Sequence, residues 1–215
     1  KIQGEAKSNL IYKAWELLNE EYDIAPVAIS LLKKIPTGGG LGGGSADGSF
    51  MINLLNDFFE LALPAEKRLK YAAVLGSDCP FFINNKPSIV TGRGEYLQPI
   101  SSDLTGYHLL LVNPKIHIST KEAFQLVKPE NRLPFNIESI ENLDFNYWKT
   151  HLTNDFEKPI LKKYQEIEKI RSRLINMGAF FTSLSGTGST YYGLFEDKPN
   201  YKGQFHNCEV WDVQL

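Results

Sequence analysis

Cysteine is scarce in this chain: Cys79 and Cys208 stand far apart, with no CxxC and no Cys/His cluster around either. Neither a disulfide framework nor a zinc site is suggested, and a reducing, cytoplasmic setting is the expectation. No apolar run approaches the length of a membrane span, and the opening "KIQGEAKSNL" has no apolar signal-peptide core. That opening also lacks a methionine, so the chain is expected to lack its natural beginning. Charge of one sign is missing too. With 23 basic and 25 acidic residues the formal net charge is -2, which excludes the basic footprint of a nucleic-acid binder and any acidic tail. The partner is expected to be a small molecule, with no nucleic acid and no membrane, and the chain a monomer or weak homodimer. Two catalytic signatures are absent as well: there is no G-x-S-x-G elbow, and His108, His117, His151 and His206 show no metal-ligand spacing.

What is present is an ordinary globular composition, 42% hydrophobic over 215 residues, enough for one large domain or two small ones. Leu10, Ile11, Ala14, Leu17 and Leu18 recur at helical spacing behind Ser8 and Asn9, which predicts a capped helix to Tyr22. "VAISLLKKI" (27–35) is rich in branched residues and ends at Pro36, so it is expected to be a strand. Phe50, Met51, Leu54, Leu55, Phe58 and Phe59 fall on one face of the next expected helix. "PAEKRLKYAAVLG" starts on proline and stops at glycine as a short helix should. "PSIVTGRGEYLQPI" predicts two extended runs around a turn, and "YHLLLVNP" a strand followed by the capped helix "STKEAFQLV". The stretch 128–148 has no clear period and is expected to be loop or a few helical turns. A helical stripe runs from Pro159 to Met177, then two strands hinge on 186–188, and "CEVWDVQL" adds a last strand. The mixture is uneven, as in α+β layers. A soft boundary near 101–106 divides the chain into 1–100 and 101–215.

"IPTGGGLGGGSADG" (35–48) carries six glycines in seven positions. Glycine is the costliest residue to order, so the loop needs a use that side chains would obstruct. Between a strand and a helix, its backbone N–H groups can converge on one anion while the helix adds the positive end of its dipole. Phosphate is the natural occupant. A linker would interleave serine and sit between domains, whereas this loop is clamped between two elements. No lysine follows the glycines, so it is not a Walker loop. Gly38, Gly40 and Gly43 satisfy G-x-G-x-x-G, but the acidic residue about 20 positions on, Asp57, falls inside a helical run, which weakens a dinucleotide reading. Ser45 can reach a phosphate or its metal; Asp47 is as well explained as a helix cap.

Asp78, in "VLGSDCPFFI", sits between apolar runs and either faces a cleft as a proton acceptor or caps a turn before Pro80. "LSGTGS" (184–189) is by itself only a hairpin turn. In this order and at these separations, "KKIPTGGGLGGGSADG", "LGSDCPFFI", "GRGEYLQPI" and "SLSGTGS" resemble the GHMP small-molecule kinases over nearly the whole chain. The resemblance implies an α+β GHMP-kinase fold of two lobes: an N-terminal lobe of the ribosomal-protein-S5-like type, here truncated, and a C-terminal ferredoxin-like lobe. It implies transfer of the ATP γ-phosphate to the 2-hydroxyl of a CDP-linked methylerythritol, in isoprenoid precursor synthesis.

By the same resemblance, Pro36, Gly38, Gly39, Gly40, Leu41, Gly42, Gly43, Gly44 and Ser45 would wrap the triphosphate. Asn9 and Lys33 would lie by the nucleotide base. Asp78 would be the catalytic base and a substrate contact, beside Thr120 and the turn Gly186, Thr187 and Gly188. Mg2+ would bridge ATP oxygens with Ser45 as a protein ligand. A strand with a P-x-K-x-N motif would precede these residues, and none is present in the sequence. "GSADGS" replaces the more usual "GSSDAA". A homoserine- or mevalonate-type kinase and a non-catalytic nucleotide-binding module stay open as alternatives.

Overall fold

The computed structural model describes residues 5–128 and 136–215, which fall into two compact units. The first takes in residues up to Pro36 together with Gly42–Ile100. After one 3₁₀ turn, Ala6–Ser8, helix α1 (Leu10–Tyr22) is capped by Asn9, whose side chain accepts from the Ile11 N–H at 3.0 Å. Helices α2 (Gly43–Phe58) and α3 (Ala65–Leu75) pack on it, and the short α4 (Cys79–Asn84) packs on α2 and α3. Their shared core is Ala14, Leu18, Ile52, Leu55, Ala72 and Ile83. Strands β1 (Ser88–Thr91) and β2 (Tyr96–Pro99) form the antiparallel hairpin expected around "TGRG".

One expectation for this unit fails. Residues 27–35 form no strand, since among the described residues nothing offers that backbone a ladder partner; Ile29, Leu32 and Ile35 remain exposed. Branched residues favour a pleated surface only when a neighbouring strand supplies one. The apolar stripe of α2 divides. Met51 and Leu55 turn inward with Ile52, while Phe50, Leu54 and Phe58 are exposed. The helix is apolar on more than one side, so spacing alone could not choose its buried face.

The second unit takes in Thr37–Leu41 and Ser101–Leu215. Strand β3 (His108–Asn113) leads to α5 (Thr120–Leu126), which Ser119 caps through the Glu122 N–H. Of the stretch 128–148, residues 129–135 lie outside the described residues; the rest contains α6 (Ile137–Glu141) and α7 (Phe145–His151). The stripe expected to be one helix is two, α8 (Glu157–Lys163) and α9 (Gln165–Asn176), broken at Tyr164, whose φ of -116° and ψ of 90° are not helical. Periodicity runs through the break because Ile160 and Ile167 are both buried in the same core. Strands β4 (Phe181–Leu184), β5 (Tyr191–Phe195) and β6 (Glu209–Gln214) complete an antiparallel sheet in the order β4-β5-β3-β6.

In the sheet, Leu110 faces Gly193 on one side and Asp212 on the other, which fixes the register of its central strand. Helix α9 lies over β4 and β5 and buries Ile167, Ile170 and Leu174 at spacings of three and four. No helix among the described residues is long and apolar enough to cross a membrane. Leu174 is completely buried against this sheet. Leu174→Ala is expected to cost about 2–5 kcal/mol of stability, read from urea unfolding, because the cavity cannot collapse under a sheet.

Candidate active site

The glycine loop is held by its carbonyls. The Thr190 N–H donates to the Gly39 carbonyl at 3.1 Å, and the Ser185 hydroxyl donates to the Gly40 carbonyl at 2.8 Å. In a trans peptide the C=O and the following N–H point to opposite sides. Fixing those two oxygens on the turn between β4 and β5 therefore aims the N–H groups of Gly40 and Leu41 away from it. Among the described residues, the N–H groups of Gly40 and Leu41 donate no hydrogen bond, and neither do those of Gly43, Gly44 and Ser45 in the first unit. A run of unsatisfied donors on a chain this well fixed is a cradle for an anion.

Side chains are excluded from that loop by contact. Gly40 has φ +76°, and a Cβ there would overlap the Ser185 carbonyl oxygen and stand 2.8 Å from that of Gly188. Gly38, at φ +77°, faces the His117 ring, which a Cβ would strike. The turn is secured from behind. Asn154 donates from Nδ2 to the Leu184 and Gly186 carbonyls, each at 2.8 Å, and the Glu157 carboxylate accepts from the Leu184 N–H at 2.9 Å. The buried Thr190 hydroxyl accepts from Asn113 Nδ2 at 2.9 Å. The sequence reading missed Asn113, Asn154, Glu157, Ser185 and Thr190. Side-chain tethers spanning 27 to 145 residues leave no periodic or local mark, and only the polar run "TNDFE" was there to notice.

In the first unit, Gly42 is the N-cap of α2 with no side-chain capping bond, so the N–H groups of Gly43, Gly44 and Ser45 stay open at the positive end of a 16-residue helix. Asp47 lies too far into the helix to cap it. It pairs instead with Lys33, both partly buried, and this tie holds the segment before the loop against the first turns of α2. Lys33 is thus neutralised by a carboxylate rather than left open. Pro36 ends that segment, and Asn9 has committed its side-chain oxygen to capping α1, leaving its NH2 available.

Asp78 stands in the N-cap position of α4, yet its side chain makes no capping bond, and it is exposed without a described partner. Its carboxylate therefore does not cap α4 through a side-chain hydrogen bond. Next to it, burial pushes the Cys79 thiol up from its ordinary pKa, against the opposing pull of the Ser45 and Ser49 hydroxyls. In the second unit, Thr120 opens α5 at an exposed position, one turn of chain beyond His117. Nearby Glu122 is held below the usual carboxylate range by hydrogen bonds from Lys163 and then Tyr164, so it is engaged and not a competing base. Gly186, Thr187 and Gly188 form the turn that grips the loop, closed by the Gly188 N–H on the Ser185 carbonyl at 2.9 Å. Among the described residues, no group of three His, Cys, Asp or Glu can hold a metal, so the side chains alone build no metal centre.

The family model for the GHMP kinases N terminal domain matches residues 9–86, and that for the GHMP kinases C terminal matches 136–202, together more than half of the chain. This chain belongs to the GHMP kinases. That family comprises ATP-dependent small-molecule kinases. Among curated GHMP kinases, the 4-diphosphocytidyl-2-C-methyl-D-erythritol kinase of Bacteroides fragilis is 45% identical over 194 residues, 90% of this chain and 70% of that protein. The enzyme of the same name from Parabacteroides distasonis is 39% identical, over 100% of this chain and 79% of its own length. A crystal structure of 4-(cytidine 5'-diphospho)-2C-methyl-D-erythritol kinase matches with a TM-score of 0.76 at 29% identity, over 89% of this chain and 71% of that one. The homoserine kinase of Cytophaga hutchinsonii matches with a TM-score of 0.74 at 14% identity, which shows the shared GHMP fold alone.

Gly40→Ala is expected to leave the fold intact but weaken ATP binding at least tenfold in calorimetric titration, since the methyl group must push the loop off the turn that orients its N–H groups.

Proposed function

We propose that this chain is the kinase that transfers the ATP γ-phosphoryl group to the 2-hydroxyl of 4-diphosphocytidyl-2-C-methyl-D-erythritol, a step in non-mevalonate isoprenoid precursor synthesis. The observation that carries the chemistry is the pair of open N–H groups at Gly40 and Leu41, aimed by carbonyls that Thr190 and Ser185 pin. The observation that carries the substrate is identity of up to 45% to enzymes of that name, against 14% to a structurally similar homoserine kinase.

In this reading the N–H groups of Gly40, Leu41, Gly43, Gly44 and Ser45 hold the phosphate oxygens in line and spread the charge that develops there. The acceptor's 2-oxygen forms the new bond to the γ-phosphorus, and the bond from that phosphorus to the β,γ-bridging oxygen breaks. The hydroxyl proton passes to the Asp78 carboxylate and from there to solvent. ADP and the 2-phosphate are the products. Asn9 and Lys33 border the nucleotide base, with Pro36 setting the entry to the loop, and Thr120 and the turn 186–188 border the acceptor. Magnesium suits the donor set: with no carboxylate cluster, it would take most ligands from phosphate and one from the Ser45 hydroxyl, neutralising charge on the oxygens. A cytoplasmic setting, where ATP is available, fits this reading.

The natural gene product is expected to convert ATP to ADP when the cytidylated methylerythritol is supplied and not with homoserine or mevalonate, measured by a coupled ADP assay. Turnover with either of the latter would overturn the substrate. Asp78→Asn is expected to bind ATP as tightly as the parent while kcat falls by roughly 10²- to 10⁴-fold, the scale of a lost general base. Undiminished turnover would return Asp78 to a structural role.

A further inference from the structure

Asp78 lies on a helix too short to hold itself. Helix α4 has six residues, fewer than an isolated helix needs, so its position depends on neighbouring elements. Two side chains of α2 reach it. Ser49, with 0% exposure, donates from Oγ to the Cys79 carbonyl at 2.7 Å. Asn53, one turn further along the same face, donates from Nδ2 to the Ile83 carbonyl at 3.1 Å. Asn53 is held in turn by Arg68 of α3, whose guanidinium donates to its Oδ1 at 2.8 Å. On the other flank of Asp78, the hairpin between β1 and β2 presses Gly94 so closely on the Ser77 carbonyl that no Cβ fits between them.

The residues on both sides of Asp78 are thus fixed while its own carboxylate is free. A hydroxyl as deeply buried as that of Ser49 is costly unless its bond is made, and the bond it makes is to the residue next to Asp78. Ser49 also stands four residues beyond Ser45 on one continuous helix, about 6 Å along the axis at 1.5 Å per residue. We infer that Ser49 is a positioning residue for the reaction, with Asn53 and Arg68 behind it: helix α2 acts as a ruler that sets Asp78 at a fixed offset from the N–H groups of Gly43, Gly44 and Ser45. This rests on Asp78 being the base.

The mutual geometry of base and phosphate governs kcat, whereas nucleotide affinity depends on the cradle, which Ser49 does not touch. Ser49→Ala in the natural gene product is expected to lower kcat by roughly ten- to a hundredfold with the KM for ATP unchanged, the range produced by displacing a reacting group by about an ångström. In the Asp78→Asn background the same change is expected to have no further effect on kcat. An equal loss in both backgrounds, or a rise in the ATP KM with kcat preserved, would overturn the positioning role. Full activity of Asp78→Asn would instead overturn the base itself, so the two failures are told apart. If Ser49→Ala does not fold, Asn53→Leu, which keeps the volume and removes the second tether, carries the same pair of expectations.

Discussion

Two carbonyl oxygens organise the candidate site. Once the Gly39 and Gly40 oxygens are bound by the Thr190 N–H and the Ser185 hydroxyl, peptide planarity leaves the neighbouring N–H groups one direction to face. The turn that binds them is a sheet connection, made rigid by β4 and β5 on either side and by Asn154 and Glu157 behind. The entropy of ordering so many glycines is therefore offset by a scaffold built more than a hundred residues away in sequence. This is the opposite of a flexible glycine linker. The loop is soft by composition and stiff by attachment.

How much of the fold could be read in advance depended on whether the deciding interaction was local. The cap of α5 by Ser119, the cap of α1 by Asn9, and the turn between β1 and β2 are made by residues within a few positions of one another, and the pattern shows them. The strand expected over 27–35 was legible only as a preference, because a strand exists through its partner, and the described residues offer none. Helix α2 was legible as a helix, whereas the choice of Ile52 and Leu55 over Leu54 and Phe58 for its buried side is made by what packs on it. The break at Tyr164 was hidden because the buried spacing continues across it.

The site divides along the same line. Glycine in such density is a statement about backbone, and it pointed to an anion without any tertiary information. Asp78 was ambiguous in the pattern between cap and proton acceptor, and the geometry shows a carboxylate that makes no capping bond on α4. Asp47 looked like a cap and is one half of an ion pair with Lys33, a partner 14 residues upstream. Side chains that hold backbone from a distance, such as Asn154 on Gly186 or Ser49 on Cys79, have common identities and no fixed spacing, so nothing in a single chain marks them.

The obstacles that keep Gly38 and Gly40 bare differ in kind, and the difference bears on how this loop can change over generations. At Gly38 the obstruction is the His117 ring, a side chain that a second substitution can shrink. Space lost there can be returned by a change elsewhere in the gene, leaving the left-handed backbone as the remaining burden. At Gly40 the obstruction is main-chain oxygen from Ser185 and Gly188, which every amino acid carries. No compensating replacement exists, so Gly40 is closed to suppression, and drift in the loop has to pass around it.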